Sequence, residues 1–506
     1  MSSKVLSSAV VGLDAEIVEV EADTGGGDYG MFIVVGLPDA AVSESRERVR
    51  SAIKNSGLDF PKVKVTVNLA PADLKKHGPS YDLPIAISIL LATKKIISNT
   101  RIEKSIFVGE LALGGELRPI SGLLSIAIKA KKIGMETLYV PEQNAGEAAL
   151  VKELNIIPVK NLNSLIKHLE GRLLIPPVAV TDFSFENEQT AYDMAYIKGQ
   201  QHVKRAMEIA AAGSHNMAMS GPPGSGKTLI AKTIPSILPD LTLNEALEVT
   251  KIYSVAGLLR EGKNLIKTRP FRSPHHGASS VALVGGGAWP KPGEISLAHR
   301  GVLFLDEFGE FPRQALESLR QPLEDGVINI SRASGNLSFP AKFILISATN
   351  PCPCGYYGDE QKECKCSETQ ILNYKKKISG PILDRIDIHV EVPRVEFDKL
   401  SSSLNEESSA EIKKRIKKAR DLQKERFKNT IYITNSEMNS EAVKNFCEIC
   451  EESKIILKNA VEKMFLSARA YFRILKLART IADLEGENNI LPAHIAEALQ
   501  YRPKNE

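Results

Sequence analysis

The 506-residue chain reads as an α/β protein, and three observations predict it. From the start to about Leu174, strand-like apolar runs alternate with helical periodicity. The stretch Gly221-Pro222-Pro223-Gly224-Ser225-Gly226-Lys227-Thr228 fits the phosphate-binding loop pattern G-x-x-x-x-G-K-[ST]. It lies between the apolar run Met217-Ala218-Met219 and a helix-like segment that begins at Thr228. Two further apolar runs, Val302 to Leu305 and Phe343 to Ile346, lead into the polar residues Asp306-Glu307 and Ser347 to Asn350. A hydrophobic content of 43% is ample for two to four domains. A net charge of +4 with 25% charged residues does not announce nucleic acid, so any basic surface must be local. No apolar run approaches the ~20 residues that span a bilayer, and the amino terminus does not read as a signal peptide. Six cysteines do not make a disulfide scaffold. The expected location is cytoplasmic, with no membrane partner.

Residues 1–174 read as a domain of their own, with strands at Val63 to Val67, Ile106 to Val108 and Thr137 to Val140, and helices at Ala40 to Ile53 and Leu83 to Ala92. Pro176-Pro177 and the polar Thr181 to Thr190 mark a linker over 175–190. A core over 191–398 follows, opening with helical periodicity from Gln200 to Ala212. Its loop from Gly221 to Thr228 suits ATP: glycines turn backbone amides around phosphate oxygens, Lys227 neutralises the terminal phosphates, and the Thr228 hydroxyl is placed for Mg²⁺. After the strand Val302 to Leu305, Asp306 suits the metal and Glu307 suits activation of the attacking water. The Asn350 amide either orients that water or shapes a turn before Pro351. Tyr253 to Ala298 is Gly-rich and holds the sole tryptophan, Trp289. Its adjacent His275 and His276 lack a clear local third metal ligand. Ile328 to Phe339 alternates around Ser334-Gly335-Asn336 as a β-hairpin. Cys352, Cys354, Cys364 and Cys366 put four thiols within fifteen positions, which favours a tetrahedral structural Zn²⁺. Cys447 and Cys450, on a helix, read as ordinary cysteines. The segment 399–506 opens with the polar Ser401 to Ser409, then a basic run from Lys413 to Arg420 that reads first as a solvated helix face and second as a nucleic-acid contact. The rest is helical.

The chain resembles the AAA+ ATPases of the magnesium-chelatase-like branch, and within it the YifB/ComM proteins, over nearly its whole length. The stretches that carry the resemblance are Ile197 to Gln200, Phe271 to His276, Pro292 to Gly301, Asn350 to Gly355 and Leu383 to Asp387. The resemblance implies an AAA+ P-loop core, an α-helical C-terminal lid over 399–506, and a Lon-protease-like α/β domain over 1–174. In that last domain Ser80 stands at the serine of the proteolytic dyad and Leu124 at its lysine, so proteolysis is not expected and Ser80 reads as a structural or capping hydroxyl. The resemblance further implies that Arg385 is an arginine finger acting in trans and that Arg469 is a sensor arginine, with Arg473 on the same helix face. Lys375-Lys376-Lys377 replaces arginine where a second trans-acting arginine is usual. A finger in trans implies a ring, a homo-oligomer of hexameric type. Relatives place the Gly-rich insertion and the hairpin toward a central pore, where Arg272, His275, His276, Lys291 and Arg332 would meet phosphates and Trp289 would stack on a base. The alternative for the insertion is a lid against the neighbouring subunit, and for Arg332 an ion pair. The expected function is a DNA motor on single-stranded or branched DNA, a branch-migration helicase of recombination and natural transformation. The alternative is a chelatase-like ATPase that remodels a protein or a metal-inserting partner.

Overall fold

Strand alternation builds the amino-terminal body. In Asp14–Gly25 the residues Ala15, Val18, Val20 and Ala22 are buried while Glu16 faces out, and in Lys64–Ala70 the buried set is Val65, Val67 and Leu69. The computed structural model describes residues 2–25, 30–179, 192–259, 262–287, 289–332, 335–359, 361–377, 380–395 and 406–503. It contains two compact units, Met1–Phe185 with Leu243–Ile266, and Glu186–Thr242 with Lys267–Glu506.

The first unit holds a seven-stranded mixed sheet in the order Phe32–Val35, Lys64–Ala70, Asp14–Gly25, Ser2–Val11, Ser105–Phe107, Thr137–Pro141, Asn155–Val159. The helix Asp82–Ala92 is buried at nearly every position, as its mostly apolar sequence requires, with Asp82 and Ser88 the buried polar exceptions. The helix Ala40–Asn55 is capped by Asp39, whose carboxylate accepts from Val42 N at 2.8 Å. Residues 243–266 were expected within the 191–398 core, yet they pack in this unit. The helix Leu243–Ala256 buries Ala246, Val249 and Ile252, Lys251 reaches Asp14 at 2.7 Å, and the Ser254 carbonyl accepts from Gly122 N at 3.1 Å. Periodicity shows that a helix has a buried face and not which body receives it.

Leu124 is fully buried in the helix Leu123–Lys132, so no amine stands at that position. Lys129 and Lys131 are engaged by Glu16 at 3.0 Å and Glu153 at 3.2 Å. Ser80 is no cap: the short helix Pro79–Tyr81 starts from Gly78 without a side-chain cap, and Ser80 is tied in by its carbonyl, which accepts from Gly109 N at 2.9 Å.

The second unit is organised by five parallel strands in the order Phe271–Arg272, Val302–Leu305, Ile344–Thr349, Met217–Ser220, Ile388–Glu391. Val302–Leu305 is apolar and buried along its length and Ile344–Thr349 is buried through Ala348, as a sheet covered on both faces demands. Met217–Ser220 comes first in sequence and lies between the last two, so the strand order reverses beside it. Such a switch point opens a crevice at the strands' carboxyl ends. The hairpin expected at 328–339 forms over Val327–Arg332 and Gly335–Pro340, with Ser331 opposite Asn336. Its tip residues 333–334 and the Arg332 side chain lie outside the described residues.

The carboxy-terminal helices Ser409–Arg426, Ala468–Glu485 and Pro492–Gln500 share one hydrophobic core with the sheet and the helix Gln201–Gly213: Ile412, Ile416, Leu477 and Ile481 pack with Val203 and Met207. Of the six basic residues expected on the face of Ser409–Arg426, three are engaged within the chain, and Lys414, Lys417 and Lys418 are exposed. Lys413 pairs with Asp240 at 2.7 Å, Arg415 with Glu208 at 2.6 Å, and Arg420 donates to the Ala211 carbonyl at 2.8 Å. Cys447 and Cys450 do not share a helix: Cys447 ends Ser440–Phe446 and Cys450 starts Glu451–Met464. Residues 180–191, which take in most of the expected linker, and 396–405, which take in the first half of the polar stretch Ser401 to Ser409, lie outside the described residues. Among the described residues no helix is long and apolar enough to cross a membrane.

His389, on the edge strand Ile388–Glu391, gives this unit an acid-sensitive point. Burial, then the charge of Arg502, pulls its imidazole down to about 4, with nearby Asp387 opposing. Its Nε2 is buried without a hydrogen-bond partner among the described residues. An unfolded histidine titrates near ~6.5, so between the two values the unfolded chain binds the proton better and stability falls as pH drops. The expected loss from this residue is on the order of 2 kcal/mol by pH 5. Urea midpoints at pH 7.5 and pH 5 check it, and in His389→Gln the difference between the two should shrink.

Candidate nucleotide site

The carboxyl ends of three neighbouring parallel strands deliver the site. Met217–Ser220 runs directly into the loop from Gly221, and the helix Lys227–Ile237 leaves it from Gly226 at φ +89°. Gly224 also has positive φ, +80°, and the Cβ space at both glycines is open, so the two conformations are the reason for glycine there. At Gly221 the reason is close approach: a Cβ would stand 2.2 Å from the Val392 carbonyl oxygen. The loop is steadied by Gln200, whose amide donates to the Ser225 and Pro393 carbonyls at 3.2 and 3.0 Å. Gln200 itself sits at φ +54°. No local signal in the sequence points to this bond.

Lys227 reaches across the loop mouth. Its Nζ donates to the Gly221 and Pro222 carbonyls at 2.7 and 2.9 Å and lies 3.4 Å from Ser225 Oγ and from Asn350 Oδ1. Burial pulls its ammonium down from the usual lysine range, with Asp306 opposing. Thr228 Oγ1 donates to Asp306 Oδ2 at 2.7 Å, which brings together two hard oxygen ligands from different elements. A hydroxyl and a partly exposed carboxylate fit Mg²⁺, which takes few protein ligands and keeps several waters.

Glu307 follows at φ +51°, a region few non-glycine residues adopt. Its amide donates to Asp306 Oδ1 at 3.0 Å. The carboxylate meets His276 Nδ1 at 2.9 Å. The structure therefore gives His276 a different partner from the phosphate contact expected of it, and its ring lies tilted against that of His275 with centroids 4.0 Å apart. Arg272 likewise is held by Glu294 through two contacts of 2.6 Å. Lys291 and Trp289 are exposed.

The two arginines expected to act on phosphate come together on one carboxylate. Glu324 accepts from Arg385, and from Arg469 at 2.7 Å. Both guanidinium groups hold the Glu324 carboxyl below the usual range, Arg385 most strongly. Arg385 also donates to the Pro381 carbonyl at 2.6 Å. Arg473, placed beside Arg469 by sequence, instead turns to Asp387 and to the Arg385 carbonyl at 2.8 Å. Glu324 was missed because nothing in its own stretch distinguishes it from a surface acid. Lys377 is drawn to Glu310 at 3.3 Å, and 378–379 lie outside the described residues.

The four thiols converge. The Sγ atoms of Cys352, Cys354, Cys364 and Cys366 all lie within 4.8 Å of one another, a group that could hold a metal ion.

A phosphate loop at the switch point of a parallel sheet, with paired acids and an asparagine on the adjoining strand ends, defines a P-loop protein of the AAA+ class. Family comparison agrees: residues 193–400 match Magnesium chelatase, subunit ChlI; residues 18–144 match Subunit ChlI of Mg-chelatase; and residues 406–502 match Magnesium chelatase, subunit ChlI C-terminal. The chain belongs to the YifB/ComM family of magnesium-chelatase-like AAA+ proteins. It is 44% identical over 505 residues to the competence protein ComM of Haemophilus influenzae, covering 98% of this chain and 97% of that one. It is 42% identical over 501 residues to YifB of Escherichia coli, covering 99% and 97%. A segment of 174 residues is 26% identical to the Lon protease of Trichlorobacter lovleyi, covering 32% of this chain and 21% of the protease.

Proposed function

We propose that the protein is a Mg²⁺-dependent ATPase that assembles as a ring, of hexameric type, and drives branch migration or unwinding of DNA in recombination and natural transformation. The observation that carries the hydrolysis reading is the Thr228–Asp306 contact at 2.7 Å beside Lys227, Glu307 and Asn350. The DNA reading is supported by full-length similarity to a protein named for competence. Gly224, Ser225 and Gly226 present backbone amides to the phosphates, Pro222 and Pro223 having no N–H to offer, and Lys227 exchanges its loop carbonyls for phosphate oxygens. Mg²⁺ held by Thr228 and Asp306 would offset charge on the β- and γ-phosphate oxygens. Glu307 takes the proton of the attacking water, His276 holds that carboxylate between turnovers, and Asn350 orients the water. Arg385 and Arg469, gathered by Glu324, serve the nucleotide of a neighbouring subunit, for which Arg385 must leave Glu324. The four cysteines would hold one structural Zn²⁺ as thiolates.

The family's chelatase members favour a second reading, a motor that remodels a protein or metal-inserting partner. ATP hydrolysis with and without forked DNA, with strand displacement scored in the same tubes, separates the two. Turnover stimulated by DNA, with binding that weakens steeply as salt rises, is the expected result. Turnover indifferent to every DNA tested, without displacement, would overturn the DNA reading and favour the protein partner.

A further inference from the structure

The loop that carries the four thiols is also the loop that packs on the phosphate-binding turn. Cys352 is fully buried, and its Sγ lies 3.4 Å from Cys354 Sγ and 3.7 Å from Cys364 Sγ, with Cys354 and Cys364 at 3.6 Å. Backbone amides point into the cluster, Gly355 N to Cys352 Sγ at 3.2 Å and Cys354 N to Cys366 Sγ at 3.4 Å. Such donors stabilise sulfur as thiolate, the form that ligates metal.

Gly355, between the two cysteine pairs, fixes the loop against the nucleotide site. Its φ is +85°, and a Cβ built on it would stand 2.5 Å from Pro223 Cδ and 3.8 Å from Asn350 Cγ. Pro223 belongs to the phosphate loop, and Asn350 Oδ1 is 3.4 Å from Lys227 Nζ. The loop's outer part is held by charge and an aromatic ring: Asp359 pairs with Arg394 at 3.0 Å, and Arg394 and Lys362 lie over the Tyr356 ring at 5.5 and 4.2 Å. From Cys352 to Cys366 only Cys352 and Gly355 are buried among the described residues, so the loop has no apolar core of its own. Four thiolates at these separations repel one another unless a cation joins them. The contact with Pro223 therefore depends on what holds the thiols together.

We propose that metal occupancy of the four-cysteine site controls nucleotide binding: Zn²⁺ clamps Gly355 against Pro223 and Asn350, and without it the phosphate loop loses its brace and its affinity for ATP. This rests on the reading of the four cysteines as a Zn²⁺ site and of Gly221 to Thr228 as an ATP site.

The test uses the full-length protein, with zinc content measured by plasma mass spectrometry and ATP affinity by calorimetry in excess Mg²⁺. Wild type should carry one zinc per chain. The double variant Cys364→Ser/Cys366→Ser should lose zinc and bind ATP on the order of tenfold to a hundredfold more weakly, the scale on which small misplacements in a site are felt. Because that variant disturbs folding more broadly if the knuckle collapses, Gly355→Ala supplies a second reading. It keeps all four thiols, so it should retain zinc and still lose ATP affinity, while Cys447→Ser/Cys450→Ser should change neither. ATP binding at wild-type strength in Gly355→Ala and in a zinc-free double variant would overturn the coupling and leave the zinc assignment standing. Wild type without stoichiometric zinc would overturn the zinc reading and the coupling with it. Wild type that carries zinc and does not bind ATP would overturn the nucleotide reading instead.

Discussion

Glu307→Gln is expected to lower ATP turnover by about 10²–10⁴-fold, the range for removal of a positioned general base, and to leave ATP affinity within a few-fold of wild type. The two effects separate because of where the side chain stands. Lys227 and the Thr228–Asp306 pair line the proposed phosphate site, and their hydrogen bonds to the loop carbonyls and to each other do not involve the Glu307 side chain. The Glu307 carboxylate points to His276, and the backbone that aims it sits at φ +51°, a conformation that costs about 1 kcal/mol or more for a non-glycine residue. The amide of glutamine is nearly isosteric and keeps a hydrogen bond to His276 in one of its two orientations, so the fold is not at stake. What is lost is the basic oxygen. Single-turnover hydrolysis and equilibrium ATP binding on the same preparation check the prediction. A Glu307→Gln protein that turns over near the wild-type rate would assign the base to another residue. His276→Ala removes the partner and not the base, so its residual activity should stay well above that of Glu307→Gln.

The site was legible where its chemistry is local in sequence. The phosphate loop, the strand ends at Asp306 and Asn350, and the four cysteines each depend on residues a few positions apart, and each lies where its stretch predicted: the loop between strand and helix, the acids at a carboxyl end, the thiols in one cluster. The hairpin was legible for the same reason, since period-two alternation specifies its own partner strand. Its register, however, sets Gly335 opposite Arg332 and Asn336 opposite Ser331, so Gly335 and Asn336 lie in the second strand and not in the turn. What stayed hidden was choice of partner across the chain. Arg272 and His276 are basic residues in a Gly-rich stretch, which suits phosphate; the acids that hold them, Glu294 and Glu307, come from other elements. Arg469 and Arg473 are four apart on one helix, yet one turns to Glu324 and the other to Asp387, because the packing of that helix on the sheet separates their tips. The helix Leu243–Ala256 is amphipathic in sequence, and only the tertiary structure shows that its apolar side belongs to the amino-terminal unit.

Asp387→Ala should destabilise the second unit by about 3–5 kcal/mol, the cost of removing one member of a buried ion pair and stranding the other. Asp387 is nearly fully buried, and it ties together two other elements: Arg473 on the helix Ala468–Glu485 donates to its Oδ1, and in the segment before Met217–Ser220 His215 Nδ1 lies 3.2 Å from its Oδ2 while the Asn216 backbone amide donates to the same oxygen at 3.3 Å. His215 then reaches Thr480 Oγ1 at 2.8 Å, which closes the network back onto the helix. Burial works against the charge of Asp387, but Arg473 and His215 outweigh it and hold the carboxyl well below the usual range. A carboxyl depressed in the fold contributes stability that is complete above its unfolded value near ~4 and is lost only as pH falls through the lower folded value. Acid between pH 7.5 and 5 therefore leaves this pair intact and acts through His389, whereas Asp387→Ala removes the pair at every pH. Urea unfolding followed by a probe in the second unit distinguishes them: the variant should show a lowered midpoint at pH 7.5 and retain the wild-type drop between pH 7.5 and 5. Adding Arg473→Met to Asp387→Ala should recover part of the loss, because the stranded guanidinium accounts for much of it. A wild-type midpoint for Asp387→Ala, or a double variant weaker than the sum of both singles, would place the stability of this junction in its apolar packing and not in the ion pair.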